Sequence, residues 1–285
     1  MAPQHWRVSL SIAHGDFLTS HVAECPDVAP ECATTVIPPH LHHVRLGLTH
    51  EEMTAEYGLR GDMQLELRAP YDVKAQRVHY STLDGAPYTP PYGDIHHRTE
   101  TLRGISDPSL RLDFSPRPSF LFGVGTTFPA GHIVPDPIVL GREGKVHEHL
   151  QFGSGTFEPL LSAQWAVRHF VAAAEAKLSL YENRNGYRAP TTFLWSLGPT
   201  FHAGRFSIDP RLNGQLQSLG RWSGVVDEGS GFRAAGVRLQ LSAPFHSLIV
   251  APAVYRELRA RGTDIEATAT IHQTVTWSLS LTRTF

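Results

Sequence analysis

The chain is predicted to be all-β, an up-and-down antiparallel barrel of about twelve strands that crosses a membrane. Three observations predict it. First, residues 267–285 alternate. Ala267, Ala269, Ile271, Val275, Trp277, Leu279, Leu281 and Phe285 share one face, and His272, Thr274, Thr276, Ser278, Ser280, Thr282 and Thr284 share the other. Side chains switch faces at every residue of a strand, so this period-two pattern marks one long strand. Second, the pattern recurs in segments that often reach the roughly 9–11 residues needed to cross a bilayer at a tilt. Third, the connections alternate between short and long. A soluble sandwich would share the period but keep its strands short. A membrane barrel turns the apolar face to lipid and the polar face to a wet lumen.

The strands follow in order, near 4–14, 42–58, 62–74, 103–115, 119–129, 150–168, 169–182, 189–202, 206–222, 230–243, 245–259 and 267–285. In the first, Trp6, Val8, Leu10 and Ile12 alternate with Arg7, Ser9 and Ser11. In the third, Met63, Leu65, Leu67 and Ala69 alternate with Gln64, Glu66 and Arg68. Short turns fall at Arg60-Gly61-Asp62, Pro116-Arg117-Pro118, His202-Ala203-Gly204-Arg205 and Ala243-Pro244, and another near Arg168-His169. Long loops cover 15–41, 75–102 and 130–149 of what reads as one barrel domain, 1–285. That rhythm predicts short periplasmic turns, long outer loops and both termini in the periplasm. Trp6, Phe114, Phe120, Trp165, Phe170, Phe201, Phe206 and Trp222 lie toward segment ends, as interfacial girdles require. Two features oppose the reading. In 42–58 the apolar phase switches from Val44, Leu46 and Leu48 to Met53, Ala55 and Tyr57, which predicts a bulge near His50-Glu51. Pro210 and Pro252 lie inside predicted strands, where each costs a ladder bond.

Composition agrees. The 285 residues carry a net charge of −2 and are 41% hydrophobic, without an apolar run long enough for a membrane helix. Near-neutral charge gives no reason to invoke nucleic acid. The start, Met1-Ala2-Pro3-Gln4, has no leader pattern, so the numbering reads as that of a mature chain with Met1 added. Cys25 and Cys32 lie close together in a Pro-rich loop and read as a disulfide staple formed in an oxidising compartment.

The final strand, ending on Phe285, resembles the closing strand of bacterial outer-membrane barrels. In that class the terminal Phe is read by the barrel assembly machinery, which the resemblance makes an expected partner beside outer-membrane lipid. Three internal motifs resemble a broad outer-membrane family labelled for the meta-pathway of phenol degradation. Ala55-Glu56-Tyr57-Gly58-Leu59-Arg60-Gly61-Asp62-Met63-Gln64-Leu65 is similar to its strand–turn–strand. Leu102-Arg103-Gly104-Ile105-Ser106-Asp107-Pro108-Ser109-Leu110 is similar to its Gly-x-x-Asp strand opening. Gln151-Phe152-Gly153-Ser154-Gly155-Thr156-Phe157-Glu158-Pro159 is similar to its Gly-Ser-Gly strand start. The resemblance implies an outer-membrane location and passage of small molecules, without fixing a phenolic substrate.

The polar faces supply a lumen lining of Glu66, Arg68, Arg111, Asp113, Glu158, Arg168, Glu175, Lys177, Asp209, Arg211 and Arg238. Such a lining suits small polar solutes or ions; alternatively its opposite charges pair and seal the barrel, leaving an anchor or partner-binding envelope protein. The 17 histidines are unevenly spread: His40, His42 and His43 end the first long loop, His79, His96 and His97 belong to the second, and His132, His147 and His149 to the third. Imidazole is the commonest ligand for zinc and copper, so this outer rim is a candidate divalent-metal site; the competing reading is ordinary polar loop surface. No cofactor is chemically required. A membrane hydrolase would need Ser, His and an orienting group at one level on adjacent strands. Ser278 and Ser280 share the predicted inward face with His272 but read as lumen lining, and Gly153-Ser154-Gly155 is too short for a nucleophile elbow. No catalytic residue is assigned.

Overall fold

The computed structural model describes residues 2–23, 36–91, 98–148, 150–262 and 272–285. Twelve antiparallel strands close on themselves. They are β1 (Trp6–Ala23), β2 (His40–Arg60), β3 (Met63–Thr82), β4 (Glu100–Ile105 and Ser109–Arg117) and β5 (Phe120–Thr127). They continue as β6 (Pro159–Val167), β7 (Phe170–Lys177), β8 (Thr192–Pro199, continued by Phe201–Ala203) and β9 (Phe206–Gln217). The last three are β10 (Phe232–Phe245), β11 (Leu248–Gly262) and β12 (His272–Gln273 and Thr276–Thr284). Each strand pairs with its sequence neighbours, and β1 pairs with β12 to close the ring. Closure removes the sheet edges that would otherwise leave backbone groups unpaired in lipid.

The molecule is inside-out relative to a soluble fold. Its buried side chains include Glu56, Glu66, Arg111, Asp113 and Glu158, whereas Leu10, Leu67, Phe114, Trp165, Leu212, Val254 and Trp277 are exposed. The exposed apolar side chains form a belt. From Met63 to Val73, β3 climbs about 33 Å, or about 25 Å along the barrel axis at a tilt of roughly 40°, the height of a lipid-facing band. Aromatic pairs mark its lower edge: Trp6 and Tyr57 (ring centroids 4.7 Å), Phe114 and Phe122 (5.6 Å), Trp165 and Phe170 (6.4 Å).

Above the belt the strands keep going, and this revises the loop boundaries. β1 runs to Ala23 and β3 to Thr82, both well into segments expected as loops. No bulge interrupts β2 at His50-Glu51; its pairing with β1 and β3 is continuous there. The face polarity inverts instead. Met53, Ala55 and Tyr57 face outward within the belt; above it Val44, Leu46 and Leu48 face inward while Arg45 and His43 face out to water. One unbroken strand therefore leaves the membrane and changes which face is wet.

Other boundaries move less. Residues 150–158 are irregular, and β6 starts only at Pro159. The predicted Ala243-Pro244 turn lies within β10, and the chain reverses at His246-Ser247, where His246 adopts φ 53°. Pro210 and Pro252 are both held inside strands, opposite Leu239 and Leu279. The final strand is interrupted: Phe17 faces Gln273 whereas His14 faces Trp277, a one-residue slip. Residues 267–271 of that predicted strand lie outside the described residues.

Between β5 and β6 the chain forms a cap over the mouth, including helix α1 (Pro137–Arg142), whose Asp136 side chain accepts from the amides of Ile138 and Val139. A small three-stranded sheet of Tyr187–Arg188, Gly220–Trp222 and Val225–Asp227 stands beside it.

Candidate functional site

The lumen is the candidate site, and the register decides what faces it. On β3, β4 and β7 the inward residues include Gln64, Glu66, Arg68, Arg111, Asp113 and Glu175. They form one ion network. Arg111 donates to Asp113 Oδ1 (2.7 Å), Glu175 Oε2 (2.7 Å) and Glu66 Oε2 (3.0 Å). Arg68 donates to Glu66 (2.7 Å) and contacts Glu175 (3.2 Å). Arg7 makes a two-pronged contact with Glu56, and Gln64 links Glu56 to Asp113 at 3.2 Å on each side. Removing charges from water is costly, and such burial is tolerated only when partners and further hydrogen bonds satisfy every group. Here three arginines meet four carboxylates, so this wall carries almost no unbalanced charge.

A second, smaller cluster occupies β8 and β9. Arg211 donates to Asp209 (3.2 Å), the Thr200 hydroxyl (2.8 Å) and the carbonyls of Val171 and Gly198. Arg238 lies opposite it in register and donates to Gln240. Higher up, Glu158 is fully buried, with Lys177 Nζ 3.3 Å away. Of the predicted lining residues, Arg168 departs: it occupies the β6–β7 turn at φ 53° and is exposed. A turn residue in the left-handed region leaves the alternation that would have carried it inward.

Between the clusters the lumen holds free space. A cavity of about 510 Å³ is lined by Phe17, Leu194, Phe232 and Tyr255 together with Ser196, Asn213 and Gln215, and it touches Arg111 and Glu175. A second of about 420 Å³ lies toward the mouth, bordered by His50, Asp72, Lys74, Phe152 and Tyr187. The cap reaches into this upper cavity. Lys74 donates to the Gln151 carbonyl and stands 4.7 Å over the Phe152 ring. Asp107, in the gap between the two pieces of β4, fastens the cap from below. It accepts from the amides of Gly131 (2.8 Å) and Ser154 (2.7 Å) and from the Ser154 hydroxyl (3.0 Å). The Asp of one sequence motif thus holds the Gly-Ser-Gly of another, and an added Cβ at Gly153 would collide with Asp107 and Gly131. Tyr187 borders the same cavity; burial, then Asp227 and Glu158, push its phenol up to about 12.

The histidines divide. His40 and His42 face inward with their Nε2 atoms 3.3 Å apart, and the His42 ring lies 5.2 Å from that of His21. His43, one residue on, faces outward and stacks on His79 at 4.6 Å. His147 is buried, and its Nδ1 lies 2.8 Å from the Lys145 carbonyl. His96, His97 and His149 lie outside the described residues, as do Cys25 and Cys32. Among the described residues no group of three or more His, Cys, Asp or Glu is arranged to hold a metal. Strand alternation keeps His40 beside His42 and turns His43 to the other face.

Nothing described resembles a hydrolase site. Ser278 and Ser280 pair with Ala13 and Ser11 on the inward phase, but the slip in β12 sets His272 opposite Leu18. The one His–Asp–Ser set, at the upper cavity, has its carboxylate in the middle: Asp72 takes His50 on one oxygen (2.7 Å) and Ser106 on the other. A serine activated by histidine requires the imidazole in the middle.

No protein-family model matches the chain, and no curated protein matches it. Among solved structures it is similar to an outer-membrane channel from Pseudomonas putida F1, with TM-score 0.57 and 12% identity over 100% of this chain and 97% of that one. It also aligns with the monoaromatic hydrocarbon channel CymD (TM-score 0.49, 10% identity, 100% and 89% covered). The P. putida toluene transporter TodX aligns similarly (TM-score 0.46, 8% identity, 99% and 90% covered). The first of these likenesses shows the barrel fold; the other two carry no argument, and none singles out the meta-pathway family.

Proposed function

We propose that the chain is an outer-membrane channel for small polar solutes that also carry an apolar part. The observation behind it is the division of the lumen. Ion pairs satisfy one another along β3, β4 and β7, while the remaining space, about 510 Å³, offers aromatic surface beside neutral hydrogen-bonding groups. A self-neutralised wall lacks the single-sign field that would concentrate free ions, and a mixed apolar and polar pocket suits a small organic solute. The likeness to an outer-membrane channel and the belt of about 25 Å support the same location. Long loops then face outward and both termini face the periplasm. The motif resemblance to the meta-pathway family is proposed as a distant relation.

Swelling of proteoliposomes in matched solutes tests this. The expected result is protein-dependent flux of an aromatic carboxylate or alcohol exceeding that of a sugar of equal size. Flux no greater than that of protein-free liposomes for every solute would overturn it and leave the sealed, anchoring barrel.

A second reading, metal responsiveness, has one specific observation behind it, the His40–His42 pair. Two imidazoles can hold zinc or copper when a solute or water completes the shell. Titration calorimetry with Zn(II) and Cu(II) should show uptake that His40→Ala removes; no uptake would end this reading. Two sequence expectations stand as further proposals: a Cys25–Cys32 loop staple, checked by thiol labelling before and after reduction, and recognition of Phe285 by the assembly machinery.

A further inference from the structure

The outward faces of β10 and β11 end on a basic patch. Along β10 the lipid-facing phase passes from Leu241, Leu239 and Val237 to Arg233; along β11 it passes from Pro252 and Val254 to Arg256. A bulge then intervenes. Ala235 faces Arg259 whereas Gly236 faces Glu257, so Leu258 is an extra residue. Without it Arg259 and Arg261 would fall on the lumen phase. With it both return to the outward phase, the re-aiming that bulges provide. Arg261 then stands directly opposite Arg233. Like charges directly opposed across strands are destabilising. All four guanidinium groups are exposed, and among the described residues none forms an ion pair. Arg45, on the outward phase of β2, is instead neutralised by Asp16 at 2.7 Å.

The patch stands where the apolar belt ends, with no anionic partner among the described residues. Guanidinium groups bind phosphate through paired N–H donors, and basic side chains beside a bilayer draw anionic headgroups. We propose that Arg233, Arg259 and Arg261, with Arg256 beneath them, bind the phosphate of a phosphorylated lipid in the leaflet on the long-loop side. This inference rests on the membrane reading above.

The test uses the full chain in phosphatidylcholine nanodiscs. Insertion is verified first, by heat-modifiable migration and protease protection; failure there would sink the membrane reading before any phosphorylated lipid is added. A diphosphorylated glycolipid and its dephosphorylated counterpart are then supplied in turn, and bound lipid is counted by mass spectrometry of the released complex. Wild type should retain the phosphorylated form selectively, and inorganic phosphate at equal concentration should not displace it. At about fivefold per arginine, the R233Q/R259Q/R261Q variant should bind roughly a hundredfold more weakly, whereas the corresponding triple lysine variant should keep most of the selectivity. Equal retention of both lipids by inserted wild type, displacement by inorganic phosphate, or an unchanged triple glutamine variant would each overturn the proposal.

Discussion

Arg111 is the keystone of the lumen network, and Arg111→Gln tests whether that network holds the barrel as described. The side chain is 9% exposed and touches Asp113, Glu66 and Glu175, which are 0%, 9% and 22% exposed. Glutamine keeps some hydrogen-bonding capacity but removes the charge, leaving the enclosed Asp113 with the neutral Gln64 and Glu66 with Arg68 alone. Breaking a buried pair from one side costs about 3–5 kcal/mol, because the partner left behind remains desolvated. The Glu175 share is discounted, since that group is partly wet, which leaves about 3 kcal/mol. With a urea slope of about 2 kcal/mol per molar, the midpoint should fall by roughly 1.5 M. The assay is equilibrium unfolding from lipid vesicles, followed by tryptophan emission. Adding Glu175→Gln should return part of the loss, with a coupling of about 0.5–3 kcal/mol. A midpoint unchanged within about 0.2 M, or strict additivity of the two changes, would refute the network.

Asp107→Ala removes three acceptor bonds from the cap, so residues 128–158 should exchange amide hydrogen faster and become cleavable by protease; unchanged protection would deny Asp107 its fastening role. Ala234→Trp fills part of the 510 Å³ cavity and should cut solute flux severalfold without changing heat-modifiable migration; unaltered flux would move the path elsewhere. In single-tryptophan variants, Trp6 and Trp165 should be quenched by lipids brominated near the headgroup more than by lipids brominated at the chain end; equal quenching would misplace the belt. Raising pH should weaken the Tyr187–Trp222 contact of the cap. A phenol held up to about 12 gives up stability as pH climbs from about 10 toward 12, so cap fluorescence should change in that window and not below it.

What could be read from the sequence was whatever a period of two encodes. The belt residues, such as Leu65, Leu67, Leu110 and Leu112, fall on the outward phase that alternation assigns. The long upper ends of β1 and β3 were not legible, because above the membrane the wet and dry faces exchange. A strand read with one fixed polarity therefore reads as stopping or bulging, as at His50-Glu51, although its backbone continues. Arg168 was misassigned by extending alternation into a turn. The network itself needed register. Arg7 and Glu56 lie 49 residues apart, and no local pattern joins them, although both stand on polar phases of long strands. Within the histidine group, neighbours in sequence need not be neighbours in space: His40 and His42 share a face, whereas His43 lies on the other side of the barrel wall.

The central claim is that a membrane-inserted barrel offers a continuous path beside its ion pairs. Single-channel recording of the purified protein in a planar bilayer measures this most directly. The account predicts discrete, small conductance steps with weak ion selectivity, because Arg7, Arg68 and Arg111 are matched by carboxylates. A silent bilayer containing verified folded barrel, or steps with strong preference for one sign of ion, would contradict it.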